Sequence, residues 1–225
     1  PPRSTLFPYT TLFRSVEKEY QFAYHLMKVC VHVTGPKSYS FDQALVVIDR
    51  WLTISNYDCL PYFYRMIIYF NKILDGHTLE YLAPYLQALK QCQEKSQNHC
   101  KSAMPTHYIG KGDGMSRLLT RSTLFREETD YTTDDSDKVK KFWITDSRKK
   151  LLECKGRIRM KSCSRGREQP VIEIVQGNVE LYVGKNAGIG QAERDFTPGT
   201  IVYFVVSFNL GGPVANGITF KPSGP

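Results

Sequence analysis

A run of alternating charged and apolar residues limits the fold of this chain more than any other feature of its sequence. Within residues 154–161 a cation stands at every second position: Lys155, Arg157, Arg159 and Lys161. Successive side chains of a β-strand point to opposite faces, so these cations form one row while Cys154, Ile158 and Met160 face the other way. The run therefore predicts a strand with one charged face and one apolar face.

Four further segments share the β-branched and aromatic composition of strands and are bounded by glycine, proline or asparagine. Together with the first, the predicted strands cover residues 151–161, 171–176, 179–184, 200–208 and 214–220. Five short strands so close together fit a small barrel, and the oligonucleotide/oligosaccharide-binding (OB) barrel is the leading candidate. A sandwich edge and an SH3-like barrel fit the same strand count, and the sequence leaves both open.

The N-terminal half of the chain instead has the apolar period of amphipathic helices. One helix is predicted over 17–33, a second after a capping box of Ser40 and Gln43, a third near Pro61 and a fourth at Thr78. Their short connections predict either a tetratricopeptide-like helical repeat or a small helical bundle. The predicted fold class is therefore α+β with two domains, helices followed by a five-stranded OB-like β-barrel.

The predicted organisation has five parts, which are listed here by residue range. They are an adapter-derived and disordered start (1–15), a helical domain (16–103), a linker (104–137), the barrel (138–220) and a tail (221–225). The start resembles the translation of a sequencing-library adapter, so we expect that the natural chain differs there and continues upstream. Within the linker, a short helix is predicted over 115–126 and an acidic loop after it.

Positive charge is concentrated at the start of the predicted barrel. Residues 137–167 hold twelve cations and three acidic residues, an excess of nine, whereas the whole chain has a formal net charge of +8. Local basicity in a small β domain is typical of nucleic-acid binding. The candidate contacts are Lys149, Lys150, Lys155, Arg157, Arg159, Lys161, Arg165 and Arg167, with Trp143 and Tyr182 for base stacking. A solvated sheet face, or cations that protect an edge strand from aggregation, explains the same row.

The sequence predicts no enzyme, no metal site and no cofactor. None of the five histidines lies in a nucleophile motif, and Cys92 with His99 and Cys100 matches no common zinc spacing. The glycine-rich residues 110–114 lack phosphate-loop spacing. Six cysteines without a Cys-x-x-Cys pair predict reduced thiols in a cytoplasmic protein. The apolar run 60–70 contains Arg65 and is too short to cross a membrane.

Several short blocks resemble one known family. They are residues 105–112, 115–119, 142–143, 197–199 and 207–215, and the resemblance extends over most of 16–220. These blocks are similar to the C-terminal end of vertebrate sterile-alpha-motif-containing antiviral factors of the nine and nine-like type. The matching motifs are structural, so no catalytic residue carries over.

The resemblance implies a large, cytoplasmic, interferon-responsive protein that restricts poxvirus replication, restrains proliferation and represses translation. It also implies tetratricopeptide-like helices followed by an OB-like barrel, behind NTPase and nuclease-like domains that this chain does not include. The partners that we expect are RNA or DNA bound by the basic barrel. The alternative is a protein-interaction or autoinhibitory module that contacts partner proteins or the upstream domains and no nucleic acid.

Overall fold

The computed structural model describes residues 39–54, 58–99, 106–120, 124, 150–162, 168–175, 179–183 and 197–220. The helices are α1 (Phe41–Ile54), α2 (Leu60–Leu74) and α3 (Thr78–His99), and a short 3-10 helix covers Gly114–Arg117. The strands are β1 (His107–Ile109), β2 (Leu118–Thr120), β3 (Glu153–Ser162), β4 (Glu168–Ile174), β5 (Val179–Val183), β6 (Ile201–Asn209) and β7 (Gly212–Thr219).

Helices α1 and α2 begin where local chemistry satisfies or removes unpaired N–H groups. The capping box before α1 is complete, because the Ser40 N–H donates to Gln43 Oε1 (2.9 Å) and the Gln43 N–H donates to Ser40 Oγ (3.2 Å). Pro61 occupies the first turn of α2, and Gly76 adopts a φ of +98° in the turn that follows that helix. The second, third and fourth predicted helices are confirmed, and the first, over 17–33, lies outside the described residues.

The five predicted strands are present as β3 to β7, with ends shifted by up to three residues. Strands β3, β4 and β5 pair as consecutive antiparallel neighbours, and β6 returns to pair with the other edge of β3. Strand β7 pairs antiparallel with β6 and parallel with β5, so the pairings of these five strands run in a cycle. The chain is thus α+β, with helices followed by a curled, mostly antiparallel sheet that resembles a barrel.

An irregularity in strand pairing accompanies the curl of the sheet. The register of β6 on β7 shifts between Tyr203 and Val205, and Gly217 lies opposite the shift with a φ of +57°. An extra residue in one strand of a pair bends that strand and increases its local twist. Glycine adopts this left-handed conformation without the steric penalty that a side chain brings.

The segment predicted as a linker contains regular structure. The prediction of a helix over 115–126 is wrong at Leu118–Thr120, which form β2, and the 3-10 helix ends at Arg117. Strand β1 pairs with β6 on one side and with β2 on the other, and Ile109, Met115 and Leu118 are buried in the main core. A three-residue strand is too short for a periodic signal, and pairing with β6 overrides the local preference. The predicted acidic loop lies outside the described residues.

One hydrophobic cluster joins the helices to the sheet. Phe70 of α2 meets Phe208 of β6 edge to face, with ring centroids 5.2 Å apart, and both side chains are fully buried. From α3, Gln93 Nε2 donates to the carbonyl of Gly211 in the turn between β6 and β7 (2.8 Å). Helices α2 and α3 therefore pack against the Phe208 end of β6 and the turn after it, while the cations of β3 are exposed.

The cysteines differ from the sequence prediction at one described position. Cys59, fully buried before α2, is disulfide-bonded to a partner outside the described residues, so the prediction of reduced thiols is wrong at this position. Cys92 and Cys154 are free and buried. No helix in the described part of the chain combines the length and the apolar character that a membrane span requires.

Candidate nucleic-acid interface

The cationic row lies on the exposed face of β3. Lys155, Arg157, Arg159 and Lys161 are all exposed, whereas Cys154, Gly156 and Ile158 between them are buried. Met160 departs from the predicted pattern, since its side chain is 38% exposed. The register explains this, because β3 pairs with β6 only as far as Arg157 and beyond it pairs with β4 alone. The outer end of the β3–β4 hairpin therefore has no covered face.

Two of the four cations are neutralised by carboxylates of the neighbouring strands. Arg159 forms an ion pair with Glu173 of β4, and Lys161 forms one with Glu180 of β5. Glu173 and Glu180 are directly opposite each other in the register, an arrangement of like charges that is unfavourable unless cations balance it. The sheet thus uses half of the row to hold its own carboxylates together.

The other two cations form no such ion pair with any residue that the structure describes. Neither Lys155 nor Arg157 forms an ion pair or a side-chain hydrogen bond within the described part of the chain, and both are exposed. A second residue of the same charge on the same strand face lies about 6.7 Å away, so the two cations present one local patch of positive charge. We define Lys155 and Arg157 as the open cation pair.

Apolar and aromatic side chains flank the open cation pair. In the β3–β6 register, Tyr203 lies opposite Lys155 and Ile201 lies opposite Arg157. Residues that are directly opposite share a sheet face with Cβ atoms about 5 Å apart. On the other side, the Val175 N–H donates to the Lys155 carbonyl (3.4 Å), and the Val175 side chain is 56% exposed. The open cation pair therefore lies between Tyr203 and Ile201 of β6 on one side and, on the other side, Val175 beside Lys155 and Glu173 opposite Arg157.

Tyr203 was not among the residues that the sequence singled out. Its alternation with Val202 and Phe204, both fully buried, places it on the outer face, and its side chain is half-buried. The sequence does contain that alternation, which predicts correctly that the even positions of β6 form core. Only the pairing register shows that Tyr203 lies beside Lys155, because strands so far apart in sequence have no local signal for their alignment.

Of the remaining predicted contacts, the structure describes only Lys150 and the backbone of Tyr182. Lys150 is exposed, and its carbonyl accepts from the Lys111 N–H (2.9 Å), which places it at the β1 side of the sheet. The backbone of Tyr182 pairs with Val171 and Val214 in β5, and its side chain lies outside the described residues. Four other candidates lie wholly outside the described residues: Trp143, Lys149, Arg165 and Arg167.

The buried thiols near the sheet are protonated at neutral pH. Burial raises the pKa of Cys154 to about 12, although the nearby Arg117 guanidinium opposes the shift, and burial likewise raises the pKa of Cys92 to about 12. A thiol is nucleophilic as the thiolate, so neither group can act as a nucleophile near pH 7. Across the described ranges, no three His, Cys, Asp or Glu side chains form a group that could hold a metal ion.

The glycine-rich residues 110–114 have a structural role. Arg117 Nε donates to the Gly112 carbonyl (2.8 Å), and Arg117 Nη1 donates to Asp75 Oδ1 (2.7 Å) in the turn between α2 and α3. The Met115 N–H donates to the Tyr39 carbonyl (2.8 Å), which ties the same loop to the start of α1. This loop therefore connects the sheet to the helices, as a turn and not as a phosphate loop.

Comparison with known proteins assigns neither a family nor a function to this chain. No family model, no curated protein and no solved structure matches the chain.

Proposed function

We propose that this chain is a non-catalytic nucleic-acid-binding module, which binds RNA or DNA through the exposed face of β3. The observation that carries the proposal is the open cation pair, two exposed cations without a carboxylate partner in the described residues on a sheet face that already holds ion pairs. Cations that are free of partners can each neutralise a phosphate and release its counterion. Binding is then mainly electrostatic and falls steeply with salt.

The strand order supports an OB-like barrel as the finer description of the fold. Strands β3, β4 and β5 are consecutive neighbours and β6 returns by a long connection to lie beside β3, the arrangement of a Greek key. With β7, five strands form this unit, as in the OB barrel, whose second and third strands and adjoining loops bind oligonucleotides. Here the second and third strands are β4 and β5, and β4 pairs with β3, the strand that carries the cationic row.

The wider biological role is a proposal that rests on the family resemblance alone. It assigns the chain to the C-terminal region of a cytoplasmic, interferon-responsive antiviral factor that represses translation, with tetratricopeptide-like helices before the barrel. The disulfide at Cys59 is unusual for a cytoplasmic protein, because that compartment keeps thiols reduced. Counting free thiols in denaturant without a reductant tests whether this disulfide forms. A disulfide at Cys59 predicts at most four free thiols among the six cysteines. Six free thiols would be consistent with a cytoplasmic protein.

A second candidate function, a protein-interaction or autoinhibitory module, is favoured by the carboxylates on the same face. Glu173 and Glu180 alternate in space with Arg159 and Lys161, so this end of the sheet carries charges of both signs. Mixed charges are typical of the rim of protein–protein interfaces, whereas a nucleic-acid groove is more uniformly positive.

Fluorescence anisotropy with labelled oligonucleotides separates the two candidates. We expect the full chain to bind, and the variant Lys155→Gln/Arg157→Gln to bind more weakly with a salt slope reduced by about two. The matched control, Arg50→Gln/Lys90→Gln, removes the same charge from exposed positions of α1 and α3 and should bind as the wild type does. Equal loss in both double variants would show only an effect of net charge, and equal weak binding by all three would favour the protein-interaction candidate.

A further inference from the structure

Tyr203 gives the proposed interface a feature that a purely electrostatic surface lacks. Its ring lies on the same face as Lys155, opposite it in the register, and is partly exposed. Among the described residues its ring has no aromatic partner, in contrast to the clustered rings of the core such as Phe63, Tyr64 and Phe70. A half-buried amphipathic ring beside the exposed Lys155 is placed to receive a flat ligand.

A partly exposed ring beside a pair of cations interacts differently with single-stranded and with duplex nucleic acid. Bases stack on aromatic rings only when they are not already stacked in a helix, and stacking contributes about 1–3 kcal/mol per base. A duplex offers phosphates to Lys155 and Arg157 but keeps the faces of its bases covered. A single strand offers a phosphate and an open base face within the same nucleotide.

We propose that the interface selects single-stranded nucleic acid, with Tyr203 stacking on a base while Lys155 and Arg157 contact the adjacent phosphates. This inference rests on the proposed nucleic-acid function and specifies its ligand. Ile201 beside Arg157 and the exposed Val175 beside Lys155 add apolar surface that a neighbouring base can contact. The carboxylates Glu173 and Glu180 lie toward the β4 and β5 side and repel a second backbone, which disfavours a duplex.

The test compares three probes that share phosphates and differ in their bases. They are single-stranded oligothymidine of about 12 nucleotides, within the site size of an OB barrel, an abasic strand of equal length, and the matching duplex. Binding of single-stranded oligouridine is then compared with binding of oligothymidine to distinguish RNA from DNA as the ligand. The proteins are the full chain and its variants Tyr203→Ala, Tyr203→Phe and Lys155→Gln/Arg157→Gln, each checked for an unchanged melting temperature.

We expect Tyr203→Ala to weaken binding to the oligothymidine roughly 5- to 150-fold, the equivalent of one stacked base, and Tyr203→Phe to retain it. Neither change should alter binding to the abasic strand, because that probe has no base to stack. The double cation variant should lose affinity for all three probes.

Two results would contradict these proposals in different ways. If Tyr203→Ala binds the oligothymidine as the wild type does, while the cation variant loses binding, the stacking inference is wrong and the proposed function stands. If the wild-type chain binds no probe in a salt-dependent manner, the proposed function itself is wrong.

Discussion

Gly156 allows the neighbouring strands to approach β3 closely at the proposed interface. It is buried on the concave face between Lys155 and Arg157, and a Cβ atom at this position would meet Ile172 Cγ2, the Glu173 carbonyl oxygen (2.9 Å) and Phe204 (3.0 Å). The absence of a side chain therefore lets β4 and the core approach β3 closely. We expect Gly156→Ala to lower the free energy of unfolding by about 1–3 kcal/mol in urea titrations, because the core is overpacked. The exposed Ser162→Ala on the same strand is the control, with a change within about 0.5 kcal/mol, and equal stability of the two variants would contradict this account.

For individual residues of β3, the sequence predicted which face each side chain lies on, but it did not predict which cations form ion pairs. Alternation was enough to place Lys155 and Arg157 outside and Cys154 and Ile158 inside, since it follows from strand geometry alone. It could not show that Arg159 is balanced by Glu173, because that pairing depends on the alignment of two strands. Half of the predicted row therefore proved to be engaged within the sheet, and this was not visible in the composition.

The ion pairs that link β3 to β4 and β5 allow a prediction about how these strands together bind an oligonucleotide. In the variant Glu173→Gln/Glu180→Gln, Arg159 and Lys161 lose their carboxylate partners and the face gains two units of positive charge. We expect tighter oligonucleotide binding and a salt slope that is steeper by up to about two, since Glu173 and Glu180 no longer compete with phosphates for the two cations. Anisotropy titrations at several salt concentrations measure both quantities. The matched control, Glu80→Gln/Glu94→Gln on α3, makes the same change of charge away from the sheet, and an equal gain there would attribute the effect to net charge.

Elements with strong local signals were predicted, and those made by tertiary pairing were not. The capping box of Ser40 and Gln43 located α1, because both of its hydrogen bonds lie within four residues. The sequence predicts linker and helix where β1 and β2 form, since three residues each give no period and β6, which pairs with β1, is remote in sequence. The five longer strands had enough alternation to be recognised, although their cyclic pairing was inferred from their number and not from any one strand.

The whole molecule is held together by contacts between the helices and the sheet, and these predict how it unfolds. Phe70 and Phe208 are both fully buried and in contact, and the core cluster that contains them extends from α1 to β7. We expect one cooperative transition, with circular dichroism at the helical band and infrared absorption at the β-sheet amide I band changing together. Phe70→Ala should lower the free energy of unfolding by about 3–5 kcal/mol and shift both signals equally. Two separate transitions would instead support independent helical and barrel domains, as the sequence predicted.

The central claim is that the open cation pair and Tyr203 form a nucleic-acid-binding surface, and amide chemical-shift mapping tests it most directly. The isotope-labelled full chain is titrated with single-stranded oligothymidine, and the shift of every assigned amide is recorded. The account predicts that the largest changes cluster at Lys155, Arg157, Ile201, Tyr203 and Val175, which the register brings onto one face. Changes that centre on the helices, or none at saturating oligonucleotide, would contradict it.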